Sequence, residues 1–287
     1  MNRRTFIKKG LSWFLYSVIT TGVGYIYARY IEPTTVSISK HTISSHLIKK
    51  GFIGKKIVQF SDCHLGYHYS LSQLKATVQL VNEQSPDIIL FTGDLIDDQQ
   101  SYKDRDHIAP ILKLMKSSLG KFAIYGNHDH GGYGTDIYAQ IMNDAGFQVL
   151  QNEETRITLT DDSAISIVGI DDMMLGHPKI EKSIRKIKEN IFTILLVHEP
   201  DVANTIANYP IDLQLSGHSH GGQVQLPFLG PIITPPLAKQ YVEGFYQLTG
   251  NRGNTLTLYV NRGLGTTRVP FRFLAKPEIT VFQLQNL

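Results

Sequence analysis

The chain has 287 residues, of which 42% are hydrophobic, and a formal net charge of +3. This apolar content excludes a disordered chain, and the single cysteine, Cys63, excludes an internal disulfide framework. The small positive charge gives no indication of nucleic-acid binding, and the sequence contains no regular repeat. We therefore expect one large globular domain with a short tail, and we expect a monomer.

The first 29 residues differ from the rest of the chain. Residues 1–10 (MNRRTFIKKG) are basic, whereas residues 11–28 carry no charge. A basic segment followed by an apolar one is typical of an export signal, and the paired Arg3-Arg4 resembles the bacterial twin-arginine signal. The alternative is a plain membrane anchor whose basic flank contains those two arginines. We expect residues 1–29 to be such a signal or a retained anchor that contacts the membrane.

We expect the rest of the chain in the cell envelope, on the extracytoplasmic face of the membrane or in the cell wall. Residues 30–50 read as a linker with a first strand (TTVSISKHTI), and residues 51–287 read as the folded domain. Within that domain, five short runs of β-branched and aromatic residues are typical of buried strands. The five runs are 55–60, 87–92, 121–126, 192–197 and 211–216.

Every one of these runs leads directly into residue types that bind metals. Because ligands bind beyond the carboxyl ends of strands in sheets of this class, we expect these side chains to converge at one edge. In chain order the residues that follow the five strands are Asp62 and His64, Asp94, Asn127 and His128, His198, and finally His218 and His220.

The segments between and after these strands predict the layers of the fold. Helical spacing is found at 71–85, 135–145, 179–190 and 201–208, so the predicted sheet should carry helices on its faces. The region from 223 to 287 has extended runs and little helical signal, which predicts a second, partly antiparallel sheet. Residues 155–160 and 164–170 are candidates to join it. The expected architecture is a β-sandwich flanked by helices.

The candidate ligands form a set of imidazoles, carboxylates and one carboxamide, without thiolate. Such a set suits Mn, Fe or Zn, and it is not an all-oxygen calcium site. Seven ligands are too many for one ion and fit two divalent ions that share a bridge, for which Asp94 is the candidate. Two adjacent ions can hold a hydroxide and clamp a phosphoryl group. The predicted ligands are Asp62, His64, Asp94, Asn127, His198, His218 and His220.

The stretch GHSHGGQ at 217–223 places two histidines one residue apart among glycines. Ser219 between them would let the two imidazoles face different ions, and the glycines would permit tight turns. His128 is the candidate general acid, and the alternative is a hydrogen-bond partner of a ligand. Asp97 is the candidate that orients His128, with Asp98 as the alternative.

These motifs, taken in order, resemble a known family. D-x-H at 62–64, G-D-x-x-D at 93–97, G-N-H-D at 126–129, His198 after a strand, and G-H-S-H at 217–220 are similar to the motif set of calcineurin-like metallophosphoesterases. The resemblance covers roughly residues 52–284 and implies a four-layer α/β/β/α sandwich with a dinuclear centre. It implies that one ion binds Asp62, His64, Asp94 and His220, and that the other binds Asp94, Asn127, His198 and His218.

The resemblance also implies His128 as the acid, oriented by Asp97. The N-terminus, GGQVQLP and NRGLGTT with the later PFRF and PEI are similar to a bacterial membrane-associated branch of phosphatases and UDP-2,3-diacylglucosamine pyrophosphatase relatives. We therefore expect hydrolysis of a phosphomonoester, phosphodiester or pyrophosphate bond by a bridging hydroxide. The expected substrate is a phosphorylated small molecule or lipid.

We considered two alternative functions. The first is a non-catalytic, metal-binding envelope scaffold of the same fold, and the complete motif set speaks against it because a scaffold would not need every motif. The second is a peptidase, and the absence of an H-E-x-x-H motif speaks against it. Specificity is expected in the loops 99–107, 130–136, 171–179 and 227–243. Cys63 is expected to be a buried filler and Asp129 to support its loop. The histidines without a spacing argument, namely His68, His107, His130 and His177, are expected to be surface or core groups, and the alternative for His130 or His177 is the substrate pocket. Arg262, Arg268 and Arg272 are expected to be surface charges, and the alternative is a phosphate clamp.

Overall fold

Two six-stranded sheets form the centre of the protein. The computed structural model describes residues 3–130, 135–185, 187–251 and 253–287. The strands are β1 (Ser37–Ser44), β2 (Lys56–Phe60), β3 (Ile88–Phe91), β4 (Gly120–Ala123), β5 (Gln148–Val149), β6 (Glu153–Thr158), β7 (Ala164–Gly169), β8 (Phe192–Leu196), β9 (Leu213–Ser216), β10 (Gln225–Leu226), β11 (Gly230–Pro231), β12 (Gly244–Thr249), β13 (Thr255–Val260) and β14 (Glu278–Gln285).

The helices are short apart from three of them. They are α1 (Arg3–Ile26), α2 (Leu71–Glu83), α3 (Ile108–Leu112), α4 (Asn127–His130), α5 (Thr135–Asp144), α6 (Ile180–Ile184) and α7 (Ala203–Ile206). Helix α2 begins where the sequence predicts, because Ser70 and Gln73 form a reciprocal capping box at its first turn.

The order of strands in the first sheet is β1-β14-β2-β3-β4-β5, and in the second sheet it is β12-β13-β9-β8-β7-β6. Strands β2 to β5 run parallel to one another, and β14 lies antiparallel to β2. In the second sheet β7, β8, β9 and β13 are parallel, while the edge strands β6 and β12 are antiparallel to their neighbours. Strands β10 and β11 form a separate two-stranded ribbon.

Alternation of side chains along the strands creates three apolar layers. In β3, Ile88 and Leu90 face the second sheet, whereas Ile89 and Phe91 face helices α2, α3 and α5. A third layer lies between the second sheet and the short helices α6 and α7. The four-layer α/β/β/α sandwich expected from the sequence is therefore confirmed.

We expected the five strands that lead into candidate ligands to lie in one sheet. The structure divides them between the two sheets. Strands β8 and β9 lie in the second sheet, while β2, β3 and β4 lie in the first. Strand β14 was expected in the second sheet, but it is inserted between β1 and β2 in the first. Its two apolar faces explain this placement, because Ile279 packs toward the helices and Phe282 packs between the sheets.

Several local predictions also needed correction. The run at 223–228 contributes only the ribbon strand β10, and it does not extend the second sheet. The helix expected at 179–190 is limited to α6, with residue 186 outside the described residues, and the helix expected at 201–208 is a 3₁₀ turn at Pro200–Val202 followed by α7. The predicted strands at 155–160 and 164–170 are β6 and β7, and they do join the second sheet.

The N-terminal helix contacts the sandwich near its C-terminal end. Helix α1 buries none of its residues, although its end contacts the domain through Tyr25, whose ring packs edge-on against Phe271. The backbone nitrogen of Arg272 donates to the Ala28 carbonyl at 2.9 Å, and the buried Glu32 carboxylate accepts from Ala275 N. Among the residues described, none of the helices combines the length and apolar character needed to cross a membrane.

Candidate metal centre

The predicted ligands lie on turns where the backbone leaves a strand in a left-handed conformation. Asp62 and His64 follow β2, Asp94 follows β3, and His218 and His220 follow β9. Aspartate and histidine tolerate positive φ better than most residues, and such conformations cluster at functional sites. Their φ angles are 51° for Asp62, 48° for His64, 61° for Asp94, 67° for His218 and 51° for His220.

The glycines of these turns permit close packing beneath the centre. Gly217 precedes His218, and a methyl group added there would overlap the Ser61 hydroxyl and the Asp62 carboxylate. Gly93 has a φ of 98°, and a side chain there would meet Gly126 N and His198 Nδ1 at 2.7 Å. The glycines therefore allow three separate turns to approach one point, which is the role the sequence predicted for them.

One group of ligand types consists of Asp62, His64 and His220. The Nε2 atoms of His64 and His220 are 3.0 Å apart, and Asp62 Oδ1 is 3.4 Å from His220 Nε2. The Asp62 carboxylate is fully buried and accepts both the backbone N–H of His218 and the Ser61 hydroxyl. Two strand ends from different sheets thus hold one carboxylate and two imidazoles face to face.

A second group consists of Asp94, His198 and His218. The Nε2 atom of His198 lies 3.2 Å from Asp94 Oδ2, and the His198 and His218 ring centres are 4.9 Å apart. Asn127 lines the cavity that opens over these residues, and its carboxamide oxygen is buried. All seven residues predicted as ligands therefore meet at this edge of the sandwich.

Asp94 joins the two groups. Its Oδ1 accepts the backbone N–H of His128 at 2.9 Å, which fixes the carboxylate. Its Oδ2 lies 3.4 Å from His64 Nε2 in the first group and 3.2 Å from His198 Nε2 in the second. One oxygen therefore faces imidazoles of both groups, as a shared ligand must.

The separations and the unsatisfied atoms fit divalent cations. Bonds of about 2.1 Å at angles between square and tetrahedral place neighbouring ligand atoms about 3.0–3.4 Å apart. Four of the five separations between facing atoms of the two groups are 3.0, 3.2, 3.4 and 3.4 Å, and the fifth, between His198 Nε2 and Asp62 Oδ1, is 3.9 Å. Within the described part of the chain, nine buried side-chain atoms lack a hydrogen-bond partner, and two of them, His198 Nε2 and Asn127 Oδ1, lie at this centre and are free to bind a cation.

Hydrogen bonds to carbonyls fix which ring nitrogen faces the centre. A carbonyl can only accept, so His198 donates Nδ1–H to Thr92 at 2.7 Å and directs Nε2 toward Asp94. His218 donates Nε2–H to the Pro236 carbonyl at 2.8 Å, which leaves Nδ1 as its acceptor. His64 donates Nδ1–H to Asp97 Oδ1 at 3.1 Å and presents Nε2 to His220 and Asp94.

Burial and neighbouring charges set the protonation of the centre. Burial lowers the pKa of His218 to about 4, and burial with the His64 ring lowers the pKa of His220 well below its usual value. Both rings are therefore neutral near neutral pH. Burial alone would raise the pKa of Asp94, but the facing His198 and His128 rings hold it well below the ordinary range.

The family model for calcineurin-like phosphoesterases matches residues 55–222. The chain belongs to this family. It is 51% identical to the uncharacterized metallophosphoesterase YkuE of Bacillus subtilis over 286 residues, covering 100% of this chain and 98% of the relative. It is 28% identical to the phosphodiesterase YaeI of Escherichia coli, covering 99% of each, and 26% identical to the UDP-2,3-diacylglucosamine pyrophosphatase LpxG of Chlamydia trachomatis, covering 97% and 98%.

The protein is accordingly a phosphoester hydrolase with a divalent-metal centre. The predicted acid of this phosphoesterase, His128, lines the cavity next to the centre. Its Nδ1 donates to the backbone carbonyl of Asp97 at 2.7 Å, so Nε2 remains available. Burial lowers the pKa of His128, but the carboxylate of Asp94 and the contacts with Asp97 more than compensate and leave it raised.

The role of Asp97 differs in detail from the prediction. Its carboxylate is hydrogen-bonded to His64 and lies 3.8 Å from His128 Nδ1, so the backbone carbonyl, not the side chain, orients His128. The turn that follows Ile96 explains this, because Asp97 N pairs with the Leu65 carbonyl and brings the Asp97 side chain against His64. Asp98 is exposed and caps its own turn through Gln100 N and Ser101.

Asp129 has the supporting role that the sequence suggested. Its buried carboxylate accepts the backbone N–H groups of Asp94, Leu95 and Gly126 at 2.7 to 3.0 Å. Gln99, which the sequence analysis did not single out, donates to the carbonyls of His128 and Asp129. No local motif marks Gln99, because its contact joins two loops that only the fold brings together.

Cys63 is a buried filler, as expected. Burial, together with the nearby carboxylates of Asp62, Asp129 and Asp94, raises the pKa of its thiol well above the usual value. A thiol that stays protonated is a poor metal ligand and a poor nucleophile.

The three arginines near the C-terminus have different roles. Arg272 is fully buried and donates to the carbonyls of Gly265 and Ala275, so it supports the turns beneath His220. Arg262 is paired with Glu243 and Glu278. Arg268 is exposed, lines the cavity, and has no hydrogen bond or ion pair with any residue that the structure describes. Of the three, only Arg268 is placed to contact a substrate.

A cavity of about 430 Å³ opens over the centre. One wall carries five of the seven predicted ligands and His128, and the other wall is largely apolar. The apolar wall comes from two of the loops predicted to set specificity, 171–179 and 227–243, and from Val224 and Thr267–Val269, which the loop prediction omitted. Its side chains are Met174, Val224, Ile232, Ile233, Pro235, Pro236 and Val269.

The other histidines lie away from this cavity. His130 Nε2 pairs with Asp171 Oδ1 at 2.5 Å and its ring packs on Tyr125, while the His68 ring packs on Tyr67. Neither His130 nor His177 is among the described residues that line the cavity. Most of the loop expected at 130–136 lies outside the described residues, namely 131–134.

We predict that Asp97→Ala lowers the affinity for Mn²⁺ or Zn²⁺ by about 10- to 100-fold, because it removes the acceptor that orients the His64 ring. The backbone carbonyl that holds His128 is retained. Calorimetric titration of the metal-free protein measures the affinity. Asp98→Ala, which changes the adjacent exposed carboxylate, is the matched control and should leave it unchanged; equal affinities for all three proteins would contradict the prediction.

Proposed function

We propose that this protein hydrolyses a phosphodiester or pyrophosphate bond with two divalent cations, and that its substrate joins the phosphate to an apolar group such as a lipid chain. The observation that carries the proposal is the shared Asp94 Oδ2, which faces His64 in one ligand group and His198 in the other. A single-ion site would not need a carboxylate oxygen between two imidazole sets. Metal binding by the seven named residues is part of this proposal.

The cations, when bound, would neutralise the phosphoryl oxygens and lower the pKa of the attacking water. The chain supplies the rest. Asp62, His64, Asp94 and His220 would hold one ion, and Asp94, Asn127, His198 and His218 would hold the other. His128 would donate a proton from Nε2 to the leaving oxygen as the bond to phosphorus breaks. The carbonyl of Asp97 accepts Nδ1–H and orients the His128 ring, and the raised pKa of His128 favours the imidazolium form that carries the Nε2 proton.

The nature of the substrate is inferred from the opposite wall. Seven apolar side chains face the predicted ligands across the cavity, so a purely polar sugar phosphate would leave this wall against water. The names of the relatives YaeI and LpxG describe a phosphodiesterase and a UDP-2,3-diacylglucosamine pyrophosphatase, which supports these two bond types. We propose that residues 1–29 direct the domain to the extracytoplasmic face of the membrane.

The first test is hydrolysis of bis(4-nitrophenyl) phosphate by the full chain after chelation and after addition of Mn²⁺. We expect turnover only with metal, and a loss of about 10²-fold or more in kcat for Asp94→Asn, since the shared charge is removed. Asp98→Asn is the matched control and should stay within about twofold. Elemental analysis of the active protein should give two ions per chain.

One tightly bound ion in fully active protein would contradict the two-ion part of the proposal. A fully loaded protein that hydrolyses neither this diester nor nucleotide-sugar pyrophosphates would favour the metal-binding scaffold instead. These outcomes are separable, because metal content and turnover are measured on the same sample.

We predict that the effect of His128→Asn depends on the leaving group. With bis(4-nitrophenyl) phosphate the loss should be within about tenfold, because nitrophenolate leaves without a proton. With glycerophosphocholine, whose leaving alkoxide must be protonated, the loss should be about 10²- to 10⁴-fold. Equal losses on both substrates would show that His128 acts on the metal ligands and not as the acid.

We predict that Arg268→Ala raises KM about tenfold for a nucleotide-sugar pyrophosphate and changes kcat little, because the unpaired guanidinium would bind the phosphate that does not react. Arg268→Lys should recover part of the loss. Arg156→Ala, on the distant strand β6, is the control for lost surface charge. A lower kcat with unchanged KM would contradict this role.

A further inference from the structure

The cavity over the metal centre is bordered by apolar side chains that face solvent. We name this set the apolar rim and define it as Phe228, Leu229, Ile232, Ile233 and Val269. Phe228 at the tip of the β10–β11 ribbon is fully exposed, Leu229 is 80% exposed and Ile233 is 70% exposed. Ile232, Ile233 and Val269 also line the cavity, so the rim is continuous with the apolar wall of the site.

Neither packing nor backbone preference accounts for Phe228. Its φ is 68°, a conformation that bulky side chains adopt rarely, and its ring buries no surface in the protein. Clustered side chains of this kind on a surface mark a site of contact with another molecule or a membrane.

The ribbon that carries the rim is held firmly by the domain. Gln225 N donates to the Phe273 carbonyl, and Phe273 N donates to the Gln223 carbonyl, both at 2.8 Å. Ile232 N donates to the Val224 carbonyl at 3.1 Å and closes the ribbon. The exposed apolar surface is therefore a fixed feature of the fold.

The segment 271–273, whose backbone pairs with the start of the ribbon, also contacts the end of the N-terminal helix. The Phe273 ring packs edge-on against Tyr27, with a centroid separation of 6.3 Å, and Tyr25 packs against Phe271. Helix α1 exposes its apolar side chains along its length. It therefore ends directly beside the segment 271–273 that supports the ribbon. Two exposed apolar elements thus meet at one point of the domain.

We propose that the apolar rim inserts into a lipid bilayer and holds the mouth of the cavity at the membrane surface, where the substrate enters. A folded partner protein covering the rim would close the mouth, since three rim residues line the cavity. A fluid lipid layer can cover the same side chains and still deliver a substrate from within it. Exposed Arg268, next to Val269, lies where anionic headgroups would meet the rim. This inference rests on the proposed function only for the nature of the substrate.

The test uses the full chain with one tryptophan as a local probe. Trp13 is the only tryptophan, so Trp13→Phe combined with Phe228→Trp reports on the ribbon alone. We expect the emission of this probe to shift to shorter wavelength with vesicles of phosphatidylcholine and phosphatidylglycerol, and to be quenched by brominated lipids. The same background with Leu114→Trp, at an exposed site in the loop after α3, is the matched control and should not respond.

A second variant links the probe to affinity. Phe228→Ser combined with Leu229→Ser should weaken vesicle binding at least about tenfold, because two apolar side chains no longer enter the lipid. Neither residue lines the cavity, so hydrolysis of soluble bis(4-nitrophenyl) phosphate should be unchanged and shows that the variant is folded. Leu114→Ser is the control for loss of an exposed apolar side chain.

A silent probe at position 228 with intact hydrolysis of the soluble diester would overturn the inference and leave the proposed function standing. A probe that responds to vesicles in a protein that does not hydrolyse the soluble diester would support the inference and contradict the proposed function. A wild-type dimer by sedimentation that becomes monomeric in the serine variant, without a vesicle response, would show that a second copy of the chain covers the rim, and it would also overturn the inference.

Discussion

The structure of this phosphoesterase depends on keeping two carboxylates buried side by side. Asp62 is fully buried and Asp94 is 2% exposed, and both lie against the same imidazoles. An isolated buried charge is strongly unfavourable, so such groups need donors and cations around them. The protein supplies backbone N–H donors from His218 and His128, each from a turn that follows a strand. The proposed cations would complete the compensation.

That requirement explains where backbone strain is found. All five carboxylate and imidazole ligands on the turns after β2, β3 and β9 have φ between 48° and 67°. Each such residue costs about 1–3 kcal/mol when the surroundings do not favour it. The surrounding structure holds these turns through hydrogen bonds between them, such as Asp62 N to the Gly93 carbonyl and Gly217 N to the His198 carbonyl. The three apolar layers beneath the turns fix the strands from which these turns begin.

The residues of the candidate site were predictable from the sequence, because they follow recognisable strands. The division of strands between sheets and the contacts between loops were not, because they depend on residues far apart in the chain. The residues that follow β2, β3, β4, β8 and β9 were all identified, because strand patterns and ligand types are local signals. The division of these strands between two sheets was not predicted, since a run buried on both faces, such as Phe192–Leu196, has no feature that names its neighbour. The contacts of Asp97 and Gln99 could not be predicted for a related reason. Spacing identified Asp97 as a supporting residue, but only the fold places its carboxylate on His64 and its carbonyl on His128.

The two walls of the cavity come from parts of the chain with different mechanical support. The ligands lie within a few residues of strand ends in the two sheets, and Asp94, Leu95 and Gly126 are tied together by one Asp129 carboxylate. The apolar wall and Arg268 lie on connections outside both sheets, in the stretch around the β10–β11 ribbon and in Thr267–Val269. Gln223 joins the two walls, because it follows the GHSH turn and its carboxamide pairs with both the N–H and the carbonyl of Thr267. Side chains of the apolar wall can therefore differ without moving a predicted ligand, but the backbone at Pro236 cannot, because its carbonyl holds the His218 imidazole. The turns of the polar side are held to one another by backbone hydrogen bonds, such as Asp62 N to the Gly93 carbonyl and Gly217 N to the His198 carbonyl, so a change in one turn would move another.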